Sequence, residues 1–196
     1  RRAQELEAIN EIGRATTSVL DLGAVLNQIV ETTKTRFGLY YVCILLIEDA
    51  QLIFREGSTI GDSDARLERG AFRFNLPGPG LTTEAAWTGQ PVLVNDVRED
   101  PRYVPMAELA HTLSELAVPI MVKGHTIGVM DVQSDRPSAY SQSDVAVLQS
   151  LASQAGVAIE NARLFTQESH ARALLDVRVK ELDCLSDIGR RIGEAL

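Results

Sequence analysis

The sequence predicts an α+β domain in which an antiparallel sheet carries its helices on one face. Three observations predict it. YYVCILLIE followed by QLIFREGSTI, and ELAVPIMVKGHTIGVMDVQSD, are rich in β-branched and aromatic residues and are interrupted by short turns, so each reads as a hairpin. Helical patterns precede the first of these strands and follow the last. Strands joined by tight turns pair antiparallel, and helices at the two chain ends then gather on one face.

Taken in order, Leu6, Ile9, Ile12 and Val19 recur at helical spacing. A second helix is expected after Asp21, whose carboxylate can accept from free first-turn amides; it carries Leu22, Val25, Leu26, Ile29 and Val30 and ends at Gly38. The first hairpin turns at Asp49-Ala50. A poorly hydrophobic stretch, Gly61 to Gly70, leads into FRFNLP, whose apolar residues alternate as in a strand. PGPG opens a short helix closed by Gly89, and PVLVND is the next strand. DPRYVPMAELAHTLSE has mixed periodicity and reads as irregular, with a short helix started by Pro101. The second hairpin turns at Lys123-Gly124-His125, where glycine supplies the positive φ of a tight turn. Ser141 and Asp144 form a variant capping box. The helix they open, with Val145, Leu148, Leu151, Ala155, Ala158, Ala162 and Phe165 along one side, meets no stop before Gly189.

The chain of 196 residues is 45% hydrophobic, enough for a core of single-domain size. Its net charge of −8 and the absence of a Lys/Arg cluster argue against nucleic acid. The longest apolar run, Tyr40 to Ile47, falls well short of the roughly 20 residues that span a bilayer, so no membrane segment is expected. Two unrelated cysteines, Cys43 and Cys184, provide no disulfide framework, and a cytoplasmic location is the expectation.

The last stretch, ELDCLSDIGRRIGEAL (181–196), paraphrases ELEAINEIGRATTSVL (5–20): Ile12-Gly13-Arg14 returns as Ile188-Gly189-Arg190. Self-similarity of this kind marks repeated units. The chain is therefore read as one module plus the opening helix of another.

GLTTEAAWTGQPVLVNDVREDPRY, SELAVPIMVKGHTIGVMDVQSD and YSQSDVAVLQSLASQAGVAIENARLF together resemble the GAF domain family, the small-molecule-sensing and dimerising modules of bacterial signalling proteins. The resemblance implies a central six-stranded antiparallel sheet, terminal helices on one face, a ligand pocket on the other, and a long C-terminal signalling helix. It divides the chain into a linker helix (1–18), the GAF domain (19–165) and a helix (166–196) leading into a second GAF domain. The function it implies is non-catalytic sensing within a larger histidine kinase of a two-component system, a cyclase or a transcription regulator, with adjacent GAF and output domains as partners. The alternative is a degenerate module that only spaces and pairs its neighbours, and a third option is an enzyme like the free methionine sulfoxide reductases.

Candidate site residues follow. Tyr103, His111 and Ser114 lie in segments that correspond to pocket walls in that family, and His111 also invites a haem reading. Phe72, Phe74 and Trp87 offer rings that stack on a planar ligand or fill a core. Cys43, inside a strand, reads as a small buried hydrophobe; it is followed by Ile44 rather than His, so no covalent bilin is expected, and a lone pocket thiol cannot close a reductase disulfide cycle. The cyclic-nucleotide signature of the family is not found. The ligand stays unknown, with haem and cyclic nucleotide as lesser alternatives. Asp96, Glu99, Asp100 and Asp131 lack the spacing of a calcium loop, His125 reads as a turn residue and His170 as a solvated one, and PGPG lacks a P-loop lysine. A homodimer through the terminal helices is expected, with Leu6, Ile9, Ala162, Phe165, Leu175, Leu182 and Leu185 at its interface.

Overall fold

The computed structural model describes residues 21–63 and 65–194, with the side chains of 176–177 and 179–194 outside the description. Helix α1 (Leu22–Phe37) begins where Asp21 Oδ2 accepts from the Ala24 amide at 3.0 Å and ends at Gly38, whose φ of 60° is left-handed. Strands β1 (Tyr41–Glu48) and β2 (Gln51–Gly57) form the first hairpin. Its two turn residues, Asp49 and Ala50, both have positive φ, as a two-residue turn matching the right-handed strand twist requires. The chain continues through β3 (Arg73–Asn75), α2 (Leu81–Thr88), β4 (Val92–Val94), a single 3-10 turn at Ala107–Leu109, and the second hairpin, β5 (Ser114–Val122) and β6 (His125–Ser134). Helix α3 (Gln142–Glu194) closes it. The Pro101 helix is not formed: residues 101–102 make only a turn, because Asp100 ties its own carboxylate to the Arg102 amide.

All six strands belong to one antiparallel sheet in the order β3-β2-β1-β6-β5-β4. Side chains alternate between the faces. Val42, Ile44, Leu46, Leu116, Val118, Ile120, Met130 and Val132 point to the face covered by α1 and by the first half of α3, through Leu26, Val30, Leu148, Ala152, Ala155 and Ile159. Tyr41, Cys43, Leu45, Phe54, Ala117 and Val129 point to the opposite face, under α2 and the irregular segments. The central strands are buried on both faces, which is why β1 and β5 read as nearly continuous apolar runs, β5 after its opening Ser114-Glu115.

The start of α3 is held by a reciprocal cap: the Ser141 amide donates to Asp144 Oδ2 at 2.7 Å, and the Asp144 amide to Ser141 Oγ at 3.4 Å. Fifty-three helical residues extend about 80 Å at 1.5 Å each, well past the sheet. The first copy of the terminal repeat lies outside the described residues, and the second copy is helical through Glu194.

Candidate functional site

Opposite the terminal helices, the sheet, α2 and the irregular segments enclose a cavity of about 50 Å3. Its apolar wall includes Phe54, Phe72, Phe74, Leu81 and Leu109. The polar end is built from odd-numbered residues on three adjacent strands: Tyr41 and Cys43 of β1, Glu115 of β5, and Asp131 and Gln133 of β6. The register brings them together. Cys43 pairs with Asp131 across β1 and β6, and Glu115 pairs with Gln133 across β5 and β6.

This end is acidic and buried. Glu115 is 4% exposed and Asp131 2%, and among the described residues no Lys, Arg or His lines the cavity. Gln133 Nε2 donates to Asp131 Oδ2 at 2.7 Å, and the Cys43 thiol lies 3.8 Å from the same oxygen. Asp131 Oδ1 and the Tyr41 hydroxyl are buried with no hydrogen-bond partner. Burial penalises the charged forms, so the Glu115 carboxyl is pushed well above the usual carboxylate range, with the neighbouring Asp131 adding to the shift. Burial also raises Asp131, against the opposing hydrogen bonds from Gln133, Glu115 and Cys43. The Cys43 thiol is raised by burial and by both carboxylates, which disfavours the thiolate a nucleophile needs.

Of the residues expected from sequence, Phe72, Phe74 and Tyr103 line this cavity, Phe72 meeting Phe54 edge-on at 6.1 Å and 82°. The other three stand elsewhere. Trp87 is 65% exposed in a surface groove with Pro77 and Pro101, because it sits on the outer side of α2. His111 is exposed in the turn before β5. Ser114 is buried on the even-numbered, helix-facing side of β5, where its hydroxyl donates to the Arg136 carbonyl at 2.8 Å. From the sequence, Asp131 is weighed only as a metal ligand and Cys43 as a buried hydrophobe set against bilin and reductase chemistry, while Tyr41, Glu115 and Gln133 are not anticipated. The available signal was the presence of two acids inside otherwise apolar strands, ELAVPIMV and GVMDVQS.

On the terminal helices, Ala162 is 1% exposed, Phe165 half-buried and Leu175 64% exposed. Leu6 and Ile9 lie outside the described residues, as do the side chains of Leu182 and Leu185. A wider cleft of about 640 Å3 between α1 and the start of α3 mixes Lys34 and Arg136 with Asp62, Asp135 and Asp144, so it selects no single ligand charge. Among the described residues, no group of three or more His, Cys, Asp or Glu is placed to hold a metal ion, and no helix is long and apolar enough to cross a membrane.

The chain matches the sequence profile of the GAF domain over residues 19–160. No curated protein matches it. Among solved structures it is similar to a type II free methionine-R-sulfoxide reductase from Thermoplasma acidophilum, at 26% identity over 71% of this chain and 92% of that one, with a TM-score of 0.60. It is also similar to the free methionine-R-sulfoxide reductase from Neisseria meningitidis in complex with its substrate (24%, 74% and 81%, 0.62). A GAF domain from a phosphoenolpyruvate-protein phosphotransferase of Coxiella burnetii aligns at 17% over 83% and 96%, with a TM-score of 0.65. The last two likenesses concern the fold alone.

Proposed function

Because the chain belongs to the GAF domain family, we propose that it is a sensory module whose cavity binds a small molecule bearing one protonated amine and an apolar body. The observation that carries this is Asp131: a carboxylate 2% exposed, beside Glu115, with Oδ1 unpartnered and no protein cation in the cavity wall. An ammonium group placed there satisfies the orphan oxygen and offsets the cost of burying charge. Phe54, Phe72 and Phe74 then take the apolar part. A free amino acid has this chemistry, and the relative from Thermoplasma acidophilum, by its title, acts on free methionine sulfoxide.

Binding rather than turnover is the reading for this chain. Reduction of a sulfoxide takes two electrons from thiols, and the cavity wall carries a single thiol whose pKa burial raises. The bound state would bias the terminal helices, and through a homodimer in the cytoplasm the output domains of a larger signalling protein, such as a histidine kinase of a two-component system. The degenerate, ligand-free spacer is the rival, and two buried carboxyls with no cation in the cavity wall among the described residues speak against it.

The test is calorimetry and thermal melting with methionine, methionine sulfoxide and leucine, each beside its deaminated acid. Binding by the amines alone, lost in Asp131→Asn, supports the proposal; equal binding of the deaminated acids, or binding by none, sinks it. Loss of sulfoxide in the presence of dithiothreitol would overturn the non-catalytic reading.

A further inference from the structure

A cavity of about 50 Å3 has room for a water or two, whereas small-molecule sites are typically about 300 Å3 or more. One wall must therefore move, and the walls differ in what movement costs. The sheet floor is hydrogen-bonded on both sides. The segment after Pro101 inserts Tyr103, Met106 and Leu109, the last only 2% exposed. The strap Ala65–Gly70 inserts one half-buried side chain, Leu67, between exposed neighbours. Withdrawing Leu67 uncovers the least apolar surface.

The strap is fastened to β2, where Arg69 donates to Glu56 Oε2 at 3.0 Å and the Gly70 amide to the Phe54 carbonyl at 2.9 Å, and to α1. Arg66 donates to Glu31 Oε1 at 2.7 Å and to the Gly57 carbonyl at 3.2 Å. The Arg69 guanidinium lies against Gly23, its Nη1 2.7 Å from where a Cβ would stand. At the near end, the Lys34 ammonium spends all three donors on Thr59 O, Thr59 Oγ1 and Gly61 O, at 2.7, 2.8 and 2.7 Å. Gly23, Glu31 and Lys34 fall on one stripe of α1, at spacings of eight and three residues. The adjoining stripe, Leu26 and Val30, packs in one core with Leu148, Ala152 and Ala155 of α3.

We propose that the strap Ala65–Gly70 is the entrance to the cavity, and that the Arg66–Glu31 pair and Lys34 form a latch through which its opening loosens α1 against α3. The inference rests on the reading of this cavity as the ligand site, but opening can be measured with no ligand, so the two fail separately.

Cys43 lies in the cavity wall, 5% exposed, and reports opening by its rate of reaction with methyl methanethiosulfonate in a Cys184→Ser background. Glu31→Gln, at a half-buried position, and Arg66→Gln, at an exposed one, should each speed labelling about two- to fivefold, as expected for loss of one partly exposed ion pair, and the double variant no further. Lys34→Met should speed it about tenfold through its three lost hydrogen bonds. Labelling should remain far less urea-dependent than global unfolding, and amide exchange along residues 23–37 should rise in Arg66→Gln. Unchanged labelling in Glu31→Gln and Lys34→Met, or the urea dependence of global unfolding, overturns the entrance. Faster labelling with unchanged exchange along α1 overturns the coupling.

Discussion

Gln133 grips Asp131 from one side and Thr112 from the other: its Nε2 donates to Asp131 Oδ2 at 2.7 Å, and its Oε1 accepts from Thr112 Oγ1 at 2.6 Å. All three side chains are buried. Gln133→Leu keeps the volume but strands the Thr112 hydroxyl and removes a donor from the carboxylate. The expected cost is about 1–3 kcal/mol at pH 7, and less at pH 4, where a protonated Asp131 needs the donor less. Urea unfolding at the two pH values checks it; a pH-independent cost would mean that only packing was lost.

Glu115 and Asp131 both have carboxyl pKa values raised by burial, Asp131 to about 6. The folded chain then binds more protons than the unfolded one. The stability these groups contribute is complete below about pH 4 and is lost as the pH rises through the folded values. For Asp131 alone the loss is on the order of 3 kcal/mol. The difference in stability between wild type and Glu115→Gln, followed from pH 4 to 8, isolates this cluster from surface carboxylates such as Asp100, which Arg102 holds low. Wild type should fall relative to the variant across that window, and a flat difference would refute the raised values. An amine ligand should correspondingly stabilise more at pH 7.5 than at pH 4.5.

Gly156 lets α3 press onto β5. A Cβ there would stand 2.8 Å from the Met121 carbonyl oxygen and 3.2 Å from Val122 Cγ2. Gly156→Ala gains about 1 kcal/mol of helix propensity but overpacks a contact with backbone, at about 1–3 kcal/mol. The net is expected to be destabilising by about 1 kcal/mol in chemical denaturation; a stabilised variant would show that the helix can lift without penalty.

Val157, Leu164 and Leu175 are 60%, 52% and 64% exposed and are separated by seven and eleven residues, both close to whole numbers of helical turns. They form one uncovered apolar stripe on α3, with Leu174 beside it at 70% exposed. Leu164→Glu with Leu175→Glu should shift the chain from dimer to monomer in sedimentation velocity without lowering its melting temperature. A wild-type chain that sediments as a monomer at high micromolar concentration would remove the dimer from the proposal.

Much of the fold was legible because its determinants are local. Asp21 and Gly38 bound α1, Lys123-Gly124 turns the second hairpin, and Ser141 with Asp144 starts α3, each through atoms within a few residues of one another. The Pro101 segment was misread because a side chain closed a turn that periodicity cannot register. The pocket-wall segment was legible around Ser114 but its facing was not: which parity of β5 meets the cavity depends on its pairing with β4 and β6, and the neighbouring residue, Glu115, is the one that points inward.

The sequence by itself determined the elements, their caps and turns, and the antiparallel hairpins, since hydrogen bonds within a turn and the alternation of a strand need no distant partner. Only the tertiary structure decided the chemistry of the cavity. Cys43 lies far along the chain from the hairpin that carries Glu115 and Asp131, and what makes them one buried acidic site is strand register together with the layer of Phe72, Phe74 and Leu109 packed over it. A carboxylate's cost and charge depend on that exclusion, which no local pattern encodes.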